Sequence, residues 1–151
     1  MIDLFLRCVP PSTTAQQGKR LQIVRNRQGR YVPRFFRSPE IEREAHTWAV
    51  LLRPHAPAVP LVGPVALSVT LIYPHRSRTP KRDAVRLIAK VSKPDAGNAA
   101  KDLEDTLVRL RFLEDDQQVA RLLVEKWHGP ADQVGIRIQI RPLASAEEGL
   151  A

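Results

Sequence analysis

Residues 93–127 read KPDAGNAAKDLEDTLVRLRFLEDDQQVARLLVEKW, and this run decides the fold. From about Asn98 to Leu110, the side chains of Leu103, Leu107 and Leu110 recur at helical spacing on one face. A polar stretch, Glu114-Asp115-Asp116, then precedes a strand from Gln118 to Trp127. A helix passing so directly into a strand points to helices laid against a sheet.

Outward from this run the same pattern continues. Gly135 to Arg141 (GIRIQIR) alternates strictly and reads as a strand, and Pro64 to Tyr73 (PVALSVTLIY) alternates and is rich in β-branched residues, as a core strand should be. Residues 2–9 read as a strand stopped by Pro10-Pro11-Ser12. Leu21–Val24 and Tyr31–Pro33 flank Arg25-Asn26-Arg27-Gln28-Gly29-Arg30, which predicts a hairpin with a basic tip. Ser38-Pro39-Glu40 is a helix start, with Ser as N-cap, Pro at the first helical position and Glu at the positive end of the dipole. Ile41, Ala45, Trp48, Ala49 and Leu52 share one face of that helix, with Trp48 read as core, and Pro54 ends it. Residues 74–92 read as a long basic loop with a short element near Val85–Ile88, and about 143–151 as a frayed tail. Without repeats or a convincing linker, the expectation is one α+β domain over 1–151. It has a mixed sheet of four to five strands and two main helices.

Composition narrows the function. The chain has 151 residues, 43% of them hydrophobic, which suits one folded domain with an ordinary core and excludes a disordered basic tail. Cys8 is the only cysteine, so an internal disulfide and every thiolate-rich metal site are excluded. His46, His55, His75 and His128 have no ligand-like spacing. The apolar opening is too short for a signal peptide, and the longest apolar stretch, 56–70, is broken by three prolines and a glycine. A soluble, cytoplasmic protein with no membrane partner is expected.

Charge is unevenly spread around a net of +8. Residues 1–39 carry eight basic residues against Asp3, a net of +7, and residues 75–93 carry seven against Asp83, a net of +6. Residues 94–151 carry eleven acidic against seven basic, a net of −4. The basic blocks read either as solvated surface or as grips for phosphate, and their bias to Arg favours phosphate because the guanidinium fork matches its oxygens. Candidate DNA contacts are Arg25, Arg27 and Arg30 at the hairpin tip, and Arg76, Arg78, Lys81, Arg82 and Lys93 in the second block.

The acidic segment carries the candidate chemistry. Asp95 precedes the second helix, Lys101 lies in its first turns, Asp105 follows one turn later, and Glu114-Asp115-Asp116 stands ahead of the next strand. Such carboxylates can converge on a hard divalent cation, Mg²⁺ above all, which keeps waters for a substrate phosphate. Lys101 can then neutralise charge developing at phosphorus or on the leaving oxygen. The same residues also read as a capping acid, an i,i+4 pair and a solvated turn. Spacing alone leaves both readings open.

Lys93-Pro94-Asp95-Ala96-Gly97-Asn98-Ala99-Ala100-Lys101, with Asp105, Glu114-Asp115-Asp116-Gln117-Gln118-Val119 and Lys126, resembles the RusA family of Holliday junction resolvases. Its signature runs K-P-D-x-D-N-x-x-K-x-x-x-D-A-L, then D-D-x-Q-[IV] and a downstream basic residue; Val9-Pro10-Pro11-Ser12 is similar to the family's W-P-P-S opening. The resemblance implies a homodimeric, Mg²⁺-dependent endonuclease, with Mn²⁺ as an alternative ion, that nicks four-way DNA junctions symmetrically. It implies catalytic roles for Asp95, Lys101 and Asp116, metal ligation by Asp95, Asp105 and Asp116, and a DNA contact at Lys126. Asn98 and Asp115 match motif positions. The family's second aspartate is replaced by Gly97. That removes one ligand and one charge, and leaves three outcomes: substitution by Asp105 or Glu114, junction binding without cutting, or an aspartate removed in this particular chain; a separate reading outside the family is a basic protein with an RNA or acidic partner.

Overall fold

The computed structural model describes residues 1–12, 19–37 and 39–143. In chain order the elements are β1 (Ile2–Leu6), β2 (Lys19–Arg25), β3 (Tyr31–Arg37), α1 (Pro39–Leu52), β4 (Val65–Pro74), β5 (Ile88–Ala89), α2 (Ala96–Arg109), β6 (Val119–Gly129) and β7 (Gly135–Pro142). Short 3₁₀ turns follow α1 and precede β5 and β6. The result is a mixed α+β fold with a sheet and two main helices. Ser38 and the tail beyond 143 lie outside the described residues.

The sheet has five strands in the order β1-β7-β4-β6-β5. β4 pairs parallel with β6 and antiparallel with β7, while the edge strands β1 and β5 pair antiparallel. Parallel neighbours need a crossover, and α2 lies on the chain that supplies it. The hairpin β2–β3 forms a separate two-stranded ribbon.

Alternation sets the layers. Val65, Leu67, Val69, Leu71 and Tyr73 of β4 share a face with Ile136, Ile138 and Ile140 of β7 and Leu6 of β1. This face packs against Trp48 and Leu52 of α1 and Ala99, Leu103 and Leu107 of α2. Trp48 is only 3% exposed, as a core residue should be. The other face carries Asp3, Arg137 and Gln139, where Arg137 and Gln139 both donate to the Asp3 carboxylate.

The hairpin strands run longer than the sequence reading, over Lys19–Arg25 and Tyr31–Arg37, and three further boundaries differ for local reasons. β1 stops at Leu6 because Cys8 N–H turns back to the Leu6 carbonyl at 3.1 Å, and the two prolines that follow cannot donate to a ladder. α2 begins at Ala96 because Asp95 caps it, accepting from Asn98 N–H at 3.2 Å. The short element of the basic loop is Ile88–Ala89, paired with Trp127 and His128 of β6.

Candidate functional site

Two devices carry the chain from α2 to Asp116. The helix ends at Arg109 with Leu110 as its C-cap, and Arg111 adopts φ 61° so that Arg111 N–H reaches the Val108 carbonyl at 3.0 Å and Phe112 N–H the Leu107 carbonyl at 2.9 Å. This is a Schellman stop, sealed by the buried Phe112 and Leu107. The 3₁₀ turn Asp116–Gln118 is then capped by Asp115, which accepts from Gln117 N–H at 2.8 Å. Gln118 fixes the turn to the domain. Its Oε1 accepts from Glu114 and Asp115 N–H at 2.7 and 3.0 Å, and its Nε2 donates to the Leu61 and Gly63 carbonyls at 2.9 and 3.0 Å.

At the end of this path Lys101 joins two elements. Its ammonium pairs with Asp105 one turn along α2, at 3.1 Å, and donates a short hydrogen bond to Asp116. The bond to Asp116, then that to Asp105, raises the Lys101 pKa, and Lys101 in turn holds the Asp116 carboxyl below its ordinary value. The two carboxylates therefore favour the charged form of Lys101. Glu104 belongs to the same neighbourhood. Burial pushes its carboxyl up, with opposing effects from Lys101 and from Asp116 and Asp105. Asp105, Val108, Arg109, Asp115 and Asp116 line an open cleft of about 460 Å³.

Asp95 is elsewhere. As the N-cap of α2 it stands ten residues before Asp105, about 15 Å along the axis at the helical rise of 1.5 Å per residue. Two carboxylates so far apart cannot ligate one ion at about 2 Å each. The expected metal set of Asp95, Asp105 and Asp116 is thus divided. Gly97 supplies no carboxylate beside Asp95, although a Cβ there would lie 3.4 Å from Asp95 Oδ1. Among the described residues, no three histidines, cysteines or carboxylates are gathered to hold a metal ion. The donors have the chemistry for Mg²⁺ or Mn²⁺, but as arranged they do not fit a three-carboxylate site.

The basic residues fall in three places. Arg25, Arg27 and Arg30 are exposed at the hairpin tip, where Gly29 takes φ 80° and Arg25 Nε donates to its carbonyl at 3.0 Å. Arg78, Lys81 and Arg82 are exposed on the loop after β4, with Arg82 paired to Asp83 at 3.6 Å. Arg76, Lys93 and Lys126 lie around the approach to Asp95. Lys93 is exposed, while Lys126 donates to the Ser92 and Pro94 carbonyls at 3.0 and 2.6 Å. Sequence reasoning missed Lys90, Glu104 and the role of Gln118. For Glu104 the i,i+3 spacing from Lys101 was a usable signal, and Gln118 is the glutamine of the D-D-x-Q motif, whereas its role in tying two loops together was not legible.

A lysine strung between aspartates at a helix–strand junction, on a mixed α+β domain with arginine-rich loops, is an arrangement chemically suited to a phosphodiester. The model of one protein family, endodeoxyribonuclease RusA, matches residues 10–141, and the chain belongs to that family. Membership implies endonuclease and junction-binding activity in general terms. Among curated proteins, none matches the chain closely enough to serve as a relative.

Proposed function

We propose that the protein is a homodimeric, junction-selective DNA endonuclease whose Mg²⁺- or Mn²⁺-dependent nicking of opposed strands is slowed by Gly97. The observation that carries this reading is the Lys101 ammonium held between Asp105 and Asp116 at positions of the family motif, while Gly97 leaves the place beside Asp95 without the motif's carboxylate. The basic hairpin tip and the loop after β4 grip the phosphates of a four-way junction, and a two-fold dimer would present paired sites to opposed strands. Lys101, held protonated, offers charge to the phosphoryl oxygens. Asp116 remains ionised beside it.

The test is a labelled four-way junction incubated with the protein, with and without Mg²⁺ or Mn²⁺, and read for binding and nicking together. Junction binding with slow, metal-dependent paired nicks is expected. Gly97→Asp should raise the nicking rate at least tenfold, and Asp116→Asn should abolish it while binding persists. Rapid nicking that Gly97→Asp leaves unchanged would show that the remaining acids suffice and would sink the role given to Gly97. Absence of preference for the junction over linear duplex would sink the functional reading as a whole.

A further inference from the structure

Three cations meet around Ser92 with no acid among them. Arg76 Nη2 and Lys90 Nζ donate to the Ser92 hydroxyl at 3.0 and 2.8 Å, and Lys126 Nζ donates to the Ser92 carbonyl at 3.0 Å. Among the described residues none of the three is ion-paired to a carboxylate. Lys90 is half-buried, and its ammonium lies 4.7 Å from the centre of the Tyr73 ring. Burial first, then the charges of Lys126 and Arg76, make its protonated form harder to keep. Like charges gathered this closely repel one another, and the arrangement is relieved by an anion.

The same contacts fix the role of the hydroxyl. A serine oxygen has two lone pairs and one proton. Here both lone pairs are taken by cationic donors, so the remaining O–H can only donate. Ser92 O–H, Arg76 and Lys90 thus form a donor-only receptor. A cavity of about 160 Å³, walled by Arg76, Thr79, Ile88, Ala89, Val91 and His128, opens beside Arg76.

We propose that Arg76, Lys90 and Ser92 form a phosphate subsite that holds one backbone phosphate of the bound DNA strand, with Lys126 as its anchor. Lys126 also donates to the Pro94 carbonyl, immediately before Asp95, so the subsite and Asp95 sit on one tethered segment three residues apart. A phosphate seated at Ser92 therefore sets the register of the strand relative to the acid site. This use rests on the reading of the protein as DNA-binding; the receptor itself rests on the donors alone.

The experiment has two arms on the full chain. In the first, inorganic phosphate is titrated into the protein and the Ser92 amide and the Lys90 and Arg76 side chains are followed by NMR, beside Lys90→Met and Lys90→Arg. Saturable shifts at Ser92 are expected, weakened at least tenfold in Lys90→Met and retained in Lys90→Arg. In the second, junction binding is measured in EDTA over a range of salt, where losing one phosphate contact should reduce the slope of log K against log salt by about 0.9. Lys90→Met should show that reduction and Lys90→Arg should not. Absence of any shift at Ser92 overturns the subsite, whatever the DNA does. Phosphate binding at Ser92 with an unchanged slope overturns its assignment to the DNA backbone and marks a site for free phosphate. If no version binds DNA while the phosphate shifts remain, the proposed function fails and the receptor stands.

Discussion

A single ammonium, that of Lys101, holds Asp105 and Asp116 on two different elements, and the ionisation of Asp116 reports on that grip. The hydrogen bond from Lys101 is the largest influence holding the Asp116 carboxyl below its ordinary 3.8. A carboxyl whose folded value is depressed adds stability above its unfolded value and loses it as pH falls through the folded one, so this contribution fades only below about pH 3.8. Lys101→Met should therefore raise the Asp116 midpoint toward 3.8, read from its carboxyl carbon by NMR, and salt should shrink the wild-type displacement because the pair is open to solvent. A midpoint unmoved by the substitution would assign the effect to Asp115 and the backbone instead. The residues of this pair were legible in the sequence as parts of a motif. Their joining was not, since fifteen residues and a helix end separate Lys101 from Asp116 and spacing alone does not fold that path.

The path is the business of the elements on either side. α2 and its end near Leu110 were readable from its leucines, but the way the chain leaves the helix was not, because the left-handed position after it holds Arg111 where glycine is usual. A non-glycine residue there costs about 1 kcal/mol. Arg111→Gly should recover about that much and raise the melting temperature by about 2–4 °C without moving the Asp116 titration. Gln118 works in the opposite sense. Its amide answers four backbone groups, two on the approach to Asp116 and two on the chain after α1. Gln118→Ala should cost about 1–3 kcal/mol in chemical denaturation and also raise the Asp116 midpoint, as the turn drifts from Lys101. Gln118→Glu keeps the acceptor and loses the donor, so it should leave the contacts to Glu114 and Asp115 while releasing Leu61 and Gly63. A fall in stability with an unmoved Asp116 in the alanine variant would mean that the turn is held by Asp115 alone.

At the scale of the molecule, what the sequence made legible was which residues share a face, and what it left open was which strands are neighbours. Alternation in 135–141 and 64–73 marked Ile136, Ile138, Ile140, Leu67, Val69 and Leu71 as one layer, and the helices cover that layer. Alternation carries no information on order, so the parallel pairing of β4 with β6 and the bond between Asp3 and Arg137, 134 residues apart, became visible only in the structure. Adjacent residues of β7 make this division testable. Ile138 is fully buried between its partners Val69 of β4 and Leu4 of β1, whereas Arg137 points to the opposite, open face. Ile138→Ala empties space in the core that the rigid sheet and helices cannot refill, and should cost about 2–5 kcal/mol at an unchanged denaturant slope. Arg137→Ala breaks only a solvent-screened pair, and its denaturation midpoint should stay close to that of the parent. Equal losses from the two substitutions would mean that the open face is covered, and a second copy of the chain would then have to be sought there by comparing the midpoints at low and high protein concentration.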